Sequence, residues 1–390
     1  MSKTISSLPK NFLDTLQSDS TAPPYPDSIG INDSLENIFL FARACDASDI
    51  HLAPHNPIIF RRYGTLQAQT ENPLTADIIE KMTRAALPDD IIADLEQSGD
   101  REHVLTLTGG GRFRITLMKQ RFGWDLTARV VPENIHPFDK SGLPPSCRLL
   151  TEWAQGLILI TGPAGCGKTS TLATLVDMIN QTRYDHIITI ENPIEIVYTP
   201  QKCQITQREI NRHTLSQINA LRAALREDPD IIVVSELRDL DSIQLAVTAA
   251  ETGHLVLGTM NTNDAVQTLS TLIYSFPPEE QSIISSMIAE SLRGVISQQL
   301  IPRKDGSGVI PAYEVLMLNT AAANLIRVQR LQQIYNVIAT GKKDGMVLLD
   351  HSLQALIDQG LIDGRDAHDR AVNPKLFEEY IHAGDTNEQI

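Results

Sequence analysis

Apolar and polar positions along the chain change their rhythm near residue 148. Before that point the pattern mixes short alternating runs with single helical faces. Asn32, Asp33 and Ser34 are candidate caps for a helix with Leu35, Ile38, Phe39 and Ala42 on one side. Strand-like runs follow at 50–52 and 58–60, the second ending in the turn Arg61-Arg62-Tyr63-Gly64. Ile78, Ile79, Met82 and Ala86 predict a second helix, and runs at 103–108, 112–119 and 126–131 predict further strands. Together these imply an α+β domain over 32–132. Residues 133–147, with Pro137, Pro144 and Pro145, read as a hinge between domains. From 148 onward apolar strands alternate with helical segments, the pattern of an α/β domain whose mostly parallel sheet is covered on both faces. Strands are expected at 156–161, 186–191, 231–235 and 254–259, with a β pair around 309–318. The segments 284–300, 321–339 and 346–359 have helical spacing and predict a C-terminal helical subdomain, so this second domain spans 148–375. The Pro- and Ser-rich residues 1–31 and the polar residues 376–390 read as flexible tails.

Composition narrows the function classes. A chain of 390 residues with 42% hydrophobic content has material for two or three cores. The net charge of -15 argues against a broad nucleic-acid face, because phosphate-backbone binding needs Lys and Arg in excess. A nucleic-acid motor is therefore disfavoured. No apolar leader and no long apolar run stands out, so the expectation is a cytoplasmic protein without a transmembrane segment. Cys45, Cys147, Cys166 and Cys203 lie far apart and form no C-x-x-C pair, which suggests reduced, buried thiols rather than zinc ligands or disulfides.

The chemistry concentrates after the strand 157–160. There the chain reads Gly162-Pro163-Ala164-Gly165-Cys166-Gly167-Lys168-Thr169-Ser170 and passes into a helical pattern with Leu172, Leu175, Val176 and Ile179. Gly-x-x-x-x-Gly-Lys-Thr between strand and helix is a phosphate-binding loop. Glycines free the backbone to aim several N–H groups at phosphate oxygens, and the helix N-terminus adds its positive end. Lys168 is placed for the β and γ phosphates, and Thr169 for Mg²⁺. Nucleotide hydrolysis also requires carboxylates, and two strand ends supply them: 187–195, which carries Glu191 and Glu195, and 230–236, which ends on Glu236. His254 opens the strand 254–259. Sequence alone leaves it between a structural histidine and a sensor of the γ-phosphate.

These residues resemble the type IV pilus retraction ATPases, the PilT type, of the secretion-ATPase superfamily. The likeness rests on Gly-Pro-Ala-Gly-Cys-Gly-Lys-Thr (162–169), Thr-Ile-Glu-Asn-Pro-Ile-Glu (189–195), Gln-Arg-Glu (207–209), Ala-Leu-Arg-Glu-Asp-Pro-Asp-Ile-Ile (224–232), Glu-Leu-Arg-Asp (236–239) and Thr-Ala-Ala-Glu-Thr-Gly-His-Leu-Val (248–256). Ala-Ser-Asp-Ile-His-Leu (47–52) is similar to the opening of the family's PAS-like N-terminal domain. The resemblance implies a RecA-like ATPase domain behind that PAS-like domain, a homohexameric ring, and ATP with Mg²⁺ as cofactors. It implies twitching motility through pilus retraction, with the ring peripheral to the inner membrane on a pilus platform protein and possible paralogous pilus ATPases as partners. By the same resemblance Glu195 is the catalytic glutamate and Glu236 the Walker B glutamate, a metal-site residue with Thr169. His254 becomes a nucleotide-sensing histidine, and Arg112, Arg114 and Arg129 are arginines facing the nucleotide.

Departures from the family pattern are Asn192 for an aspartate, Asn261 for a second histidine, Ser235 for a glycine and Cys166 for a serine. Residues 321–327, Ala-Ala-Ala-Asn-Leu-Ile-Arg, lack an Ile and an Arg of the family motif. They keep open an alternative, a weakly hydrolysing, ATP-binding accessory subunit resembling the PilU paralogue. The four-cysteine module of the pilus extension ATPases is missing from the sequence, which favours the retraction branch.

Overall fold

The computed structural model describes Pro26 and residues 28–132 and 135–380. The chain divides into two compact units, 1–134 and 135–390.

In the N-terminal unit, α1 (Leu35–Ala44) starts at Ser34, whose Oγ accepts from the N–H of Asn37 at 3.2 Å. The strands β1 (Asp49–Leu52), β2 (Ile59–Arg62) and β3 (Thr65–Ala68) precede the helices α2 (Ala76–Ala86) and α3 (Asp89–Ser98). Then come β4 (Asp100–Leu107), β5 (Gly111–Gln120) and β6 (Gly123–Val130). The sheet is six-stranded and antiparallel, in the order β3-β2-β1-β6-β5-β4. Strict alternation divides its faces. Phe113, Ile115 and Leu117 of β5 pack with Leu126, Ala128, Ile50 and Leu52 into the core, alongside Ile38, Phe39 and Ile79 from the helices. The opposite face carries Arg114, Arg129, Asp49 and Arg61 in one register row. Helix α3 and strand β3 escaped the sequence reading, since each shows only a turn or so of patterned apolar residues. Ile29 and Ile31 pack against this core, so order begins before the expected boundary at 32, while residues 1–25 lie outside the described residues.

The second unit is built on β7 (Gly156–Thr161), α5 (Lys168–Thr182), β8 (His186–Glu191), β9 (Gln204–Glu209), α6 (Gln217–Ala224), β10 (Ile231–Val234), α7 (Leu240–Glu251) and β11 (Leu255–Met260). A short helix α4 (Cys147–Leu150) precedes them, and α8 (Ala265–Tyr274), α9 (Pro278–Ser291), β12 (Leu292–Pro302) and β13 (Val309–Met317) follow. The last helices are α10 (Thr320–Arg327), α11 (Ile334–Thr340), α12 (Leu349–Asp358) and α13 (Gly364–Arg370). Seven strands lie in the order β13-β12-β7-β11-β10-β8-β9, all parallel except the β12–β13 pair. Every residue of β7, β10 and β11 is buried, as expected for central strands covered on both faces.

Four expectations need correction. Residues 284–300 are not one helix: α9 ends at Ser291 and β12 begins at Leu292, beside β7. The apolar pair Val295 and Ile296, between Arg293-Gly294 and Ser297-Gln298, fits a buried strand as well as a helix, and its two β-branched residues decide for the strand. The segment 321–339 is two helices, separated where Gln329 takes a left-handed φ of 56°. The supposed hinge packs onto the second unit, with Leu143 and Cys147 buried and Ile135 and Phe138 against the same core. Finally, order does not stop at 375. Phe377 is fully buried with Leu349, Leu353 and Ile362, and residues 381–390 lie outside the described residues.

Candidate nucleotide site

The phosphate loop leaves the carboxyl end of β7 at Thr161 and enters α5 at Lys168. Gly162 has φ 146° and Gly167, the N-cap of α5, has φ 90°. A Cβ at 162 would meet the Gln298 carbonyl oxygen at 2.2 Å and Cys166 Sγ at 2.5 Å, and one at 167 would meet Gln298 Nε2 at 2.8 Å. Both positions therefore require glycine for conformation and for space. Pro163, Ala164 and Gly165 are exposed at the tip, and Ser170 is half-buried behind it.

Gln298 of β12 is the loop's brace, and sequence reading missed it. Buried to 3% exposure, its Nε2 donates to the Cys166 carbonyl at 2.6 Å, and its Oε1 accepts from Thr171 Oγ1 at 2.5 Å. Beside it, Ser297 and Thr161 share a hydroxyl hydrogen bond of 2.8 Å. Lys168 lies along the loop, Nζ donating to the carbonyls of Gly162 at 2.8 Å and Pro163 at 2.9 Å. Burial pushes the pKa of its ammonium down, against the fields of Cys166 and Glu236, which favour the charged form. Burial likewise pushes the Cys166 thiol up, so this cysteine is a packed thiol rather than a nucleophile.

Glu236 follows β10, held by the backbone on both sides: Ser235 N donates to Ile190 O at 3.0 Å and Leu237 N to Thr259 O at 2.8 Å. Its carboxylate accepts from Asn261 Nδ2 on Oε1 and from Arg238 on Oε2, each at 2.5 Å. Asn261 thus grips the glutamate with an amide that does not titrate. The loop after β8 carries Glu195, half-buried, while Glu191 at its root is 8% exposed. Burial pushes the Glu191 carboxyl up, opposed by hydrogen bonds from Thr189 Oγ1 (2.6 Å) and Gln207 Nε2 (2.9 Å) and by the N–H of Glu195.

His254 does not come to the phosphate loop of its own chain. Leu255 pairs with Gly156 and Met260 with Thr161, so His254 stands at the amino end of β11, roughly 20 Å along the strands from the phosphate loop of the same chain. Its Nδ1 is 3.1 Å from the Ala249 carbonyl, which puts the ring proton there and makes it a helix-end tie. Arg112, Arg114 and Arg129 belong to the N-terminal unit. Arg114 donates to both oxygens of Glu102 at 3.2 Å, and Arg129 Nε to Asp49 Oδ1 at 2.9 Å. The Arg112 carbonyl accepts from Arg43 at 3.0 Å.

The donor set suits a hard divalent cation: Thr169 offers an exposed hydroxyl in the first turn of α5, and Glu236 a carboxylate whose field reaches Lys168. Among the described residues no three His, Cys, Asp or Glu cluster as a metal centre, so a cation here would take its remaining ligands from phosphate and water. Among the described residues no helix is long and apolar enough to cross a membrane.

A glycine loop between strand and helix, at the carboxyl edge of a parallel sheet with acidic strand ends around it, defines a P-loop nucleotide-binding protein of the α/β class. Within that class the chain belongs to the type II/IV secretion system protein family, whose model matches residues 27–343. It is 39% identical over 343 residues to the type IV pilus retraction ATPase PilT of Pseudomonas aeruginosa, spanning 88% of this chain and 99% of that protein. To the PilU pilus ATPase of the same organism it is 31% identical over 320 residues, 82% of this chain and 84% of that one. A crystal structure of the pilus retraction motor PilT with bound ADP superposes with a TM-score of 0.78 at 39% identity, covering 89% of this chain and 99% of that chain.

Proposed function

We propose that this chain is an ATP hydrolase that assembles as a homohexameric ring and powers retraction of a type IV pilus. The observation that carries the reading is the phosphate loop with the Glu236 carboxylate acting on Lys168, in a chain similar to PilT along nearly its whole length. Lys168 exchanges its two loop carbonyls for phosphate oxygens, which hold its charge better than neutral dipoles do. Bound Mg²⁺, held by Thr169 and Glu236, supplies neutralisation of the phosphate oxygens. Glu195 orients the attacking water, and Arg112, Arg114 and Arg129 supply the positive charge that the transferring phosphoryl group needs. The ring works in the cytoplasm against an inner-membrane platform protein, and rigid-body movement of its domains carries the work.

The test is phosphate release by the purified protein with ATP and Mg²⁺. Lys168→Ala and Glu236→Ala are expected to lose turnover while keeping the wild-type sedimentation profile. Undiminished release by either variant refutes the site. The accessory reading draws on the amide of Asn261 and the guanidinium of Arg238 occupying both Glu236 oxygens. Its relative PilU is the less similar of the two pilus ATPases, and robust turnover by the protein alone disposes of it.

A further inference from the structure

Gln-Arg-Glu at 207–209 has no task in the scheme above, and the strand that holds it has little packing to justify it. Strand β9 is the edge of the seven-stranded sheet, and Ile205 is its one apolar residue packed against the core. Gln207 and Glu209, two residues apart, share a face of that strand. Gln207 Nε2 donates to the Ile196 carbonyl and to Glu191 Oε1, both at 2.9 Å, and its Oε1 accepts from the N–H of Tyr198 at 3.0 Å. Glu209 Oε2 accepts from the N–H of Ile194 at 3.0 Å. The Glu195 N–H donates to Glu191, so the two consecutive amides that lead into Glu195, its own and that of Ile194, are held by carboxylates. Further on, Asn180 of α5, fully buried, donates to the Thr199 carbonyl and accepts from the Gln201 N–H, both at 2.9 Å. The helix that begins at the phosphate loop thereby ties down the far end of the loop that bears Glu195.

We propose that Gln207 and Glu209 are positioning residues for the hydrolytic step: the edge strand fixes the backbone from which Glu195 acts, so that the carboxylate meets its water in one geometry. The inference rests on the reading of Glu195 as the water-orienting carboxylate. Because a displacement of about 1 Å costs up to roughly 100-fold in rate, losing this clamp should affect chemistry rather than binding.

The experiment compares Gln207→Met, Glu209→Met and Glu209→Gln with wild type in steady-state ATP hydrolysis, ADP titration and amide hydrogen exchange. Gln207→Met and Glu209→Met are expected to lower kcat by roughly 10- to 100-fold, with KM for ATP and ADP affinity within about twofold. Glu209→Gln keeps an acceptor for Ile194 and should retain most of the turnover. Exchange at the Ile194 amide should rise in Glu209→Met and at the Tyr198 amide in Gln207→Met. Wild-type kcat in Gln207→Met overturns the proposal, as does equal damage in Glu209→Gln and Glu209→Met, which would assign Glu209 a role through its charge. Should Gln207→Met fail to fold, the Glu209 pair decides. If wild type releases no phosphate, the functional reading fails separately. The clamp then stands or falls on exchange, and unchanged protection at both amides overturns it.

Discussion

Two loops leave the carboxyl edge of the same parallel sheet, and they are held by opposite means. The phosphate loop, 162–167, gets its shape from backbone freedom, with glycines at its three positive-φ positions, and at Gly162 and Gly167 a Cβ would also collide. The loop at 192–201 contains no glycine. Its irregular backbone is fixed from outside, by side chains of Gln207, Glu209, Glu191 and Asn180 that meet its amides and carbonyls, while Ile194, Ile196 and Tyr198 sink into the core. The difference has a physical origin. A loop that wraps an anion must turn its own N–H groups inward, and the positive-φ turns this takes fall to residues without a Cβ. A loop that presents one side chain can satisfy its backbone with neighbours.

The largest expected effect breaks this comparison at the glycine end. In Gly162→Ala the new methyl meets a backbone oxygen of β12, which cannot yield as a side chain would. Calorimetry with ADP and Mg²⁺ is expected to register no binding, with the far-UV circular dichroism of wild type. Retained affinity would mean that loop shape does not depend on that glycine. A smaller effect belongs to Gln298→Leu, which strands the Cys166 carbonyl and the Thr171 hydroxyl without their buried partner. Unmet buried groups cost about 1–3 kcal/mol each, so ADP affinity should fall roughly 10- to 100-fold. The contrast with Gln207 is the point. One glutamine braces the loop that binds and should move affinity; the other braces the loop that reacts and should move kcat. Equal effects of the two variants on ADP affinity would erase the distinction.

The same contrast explains what was legible in the sequence. The glycine loop carries its mechanism in adjacent residues, and the apolar runs of strands β7, β8 and β10 stand out between turn signals. Loop braces leave no such mark. Gln298 lies 132 residues from the carbonyl it serves, in a segment whose mixed apolar and polar spacing reads equally as helix. Strand β9, with a lone packed apolar residue, has no period to detect, although its Gln-Arg-Glu stood out by resemblance. The place of His254 is hidden for a related reason: the motif names the residue, but only strand register says which end of the sheet it occupies. Asn261, a departure in the sequence, becomes meaningful once its amide is placed against Glu236.

The smallest effect sharpens the comparison away from the site, by asking what becomes of a buried carboxylate with fewer donors. Glu191 receives Thr189, Gln207 and the Glu195 N–H. Glu314 on β13 is equally buried, and its described hydrogen bond is from the Ala265 N–H at 2.8 Å, at the start of α8. Burial, with Asp264 and Asp350 nearby, pushes its carboxyl up to about 7 against the Ala265 bond. Between pH 4.5 and about 7 the folded chain then holds a proton that the unfolded chain has released. Stability from this group is complete below the unfolded value and is lost as pH rises through the folded one. Glu314→Gln keeps an acceptor for Ala265 without a charge to bury. In chemical denaturation at pH 5 and pH 7.5, wild type should lose about 2–3 kcal/mol relative to the variant as pH rises. Parallel pH dependence in the two proteins would show that Glu314 is ionised in the fold at both pH values, and that donor number does not set which buried carboxylates of this sheet keep their proton.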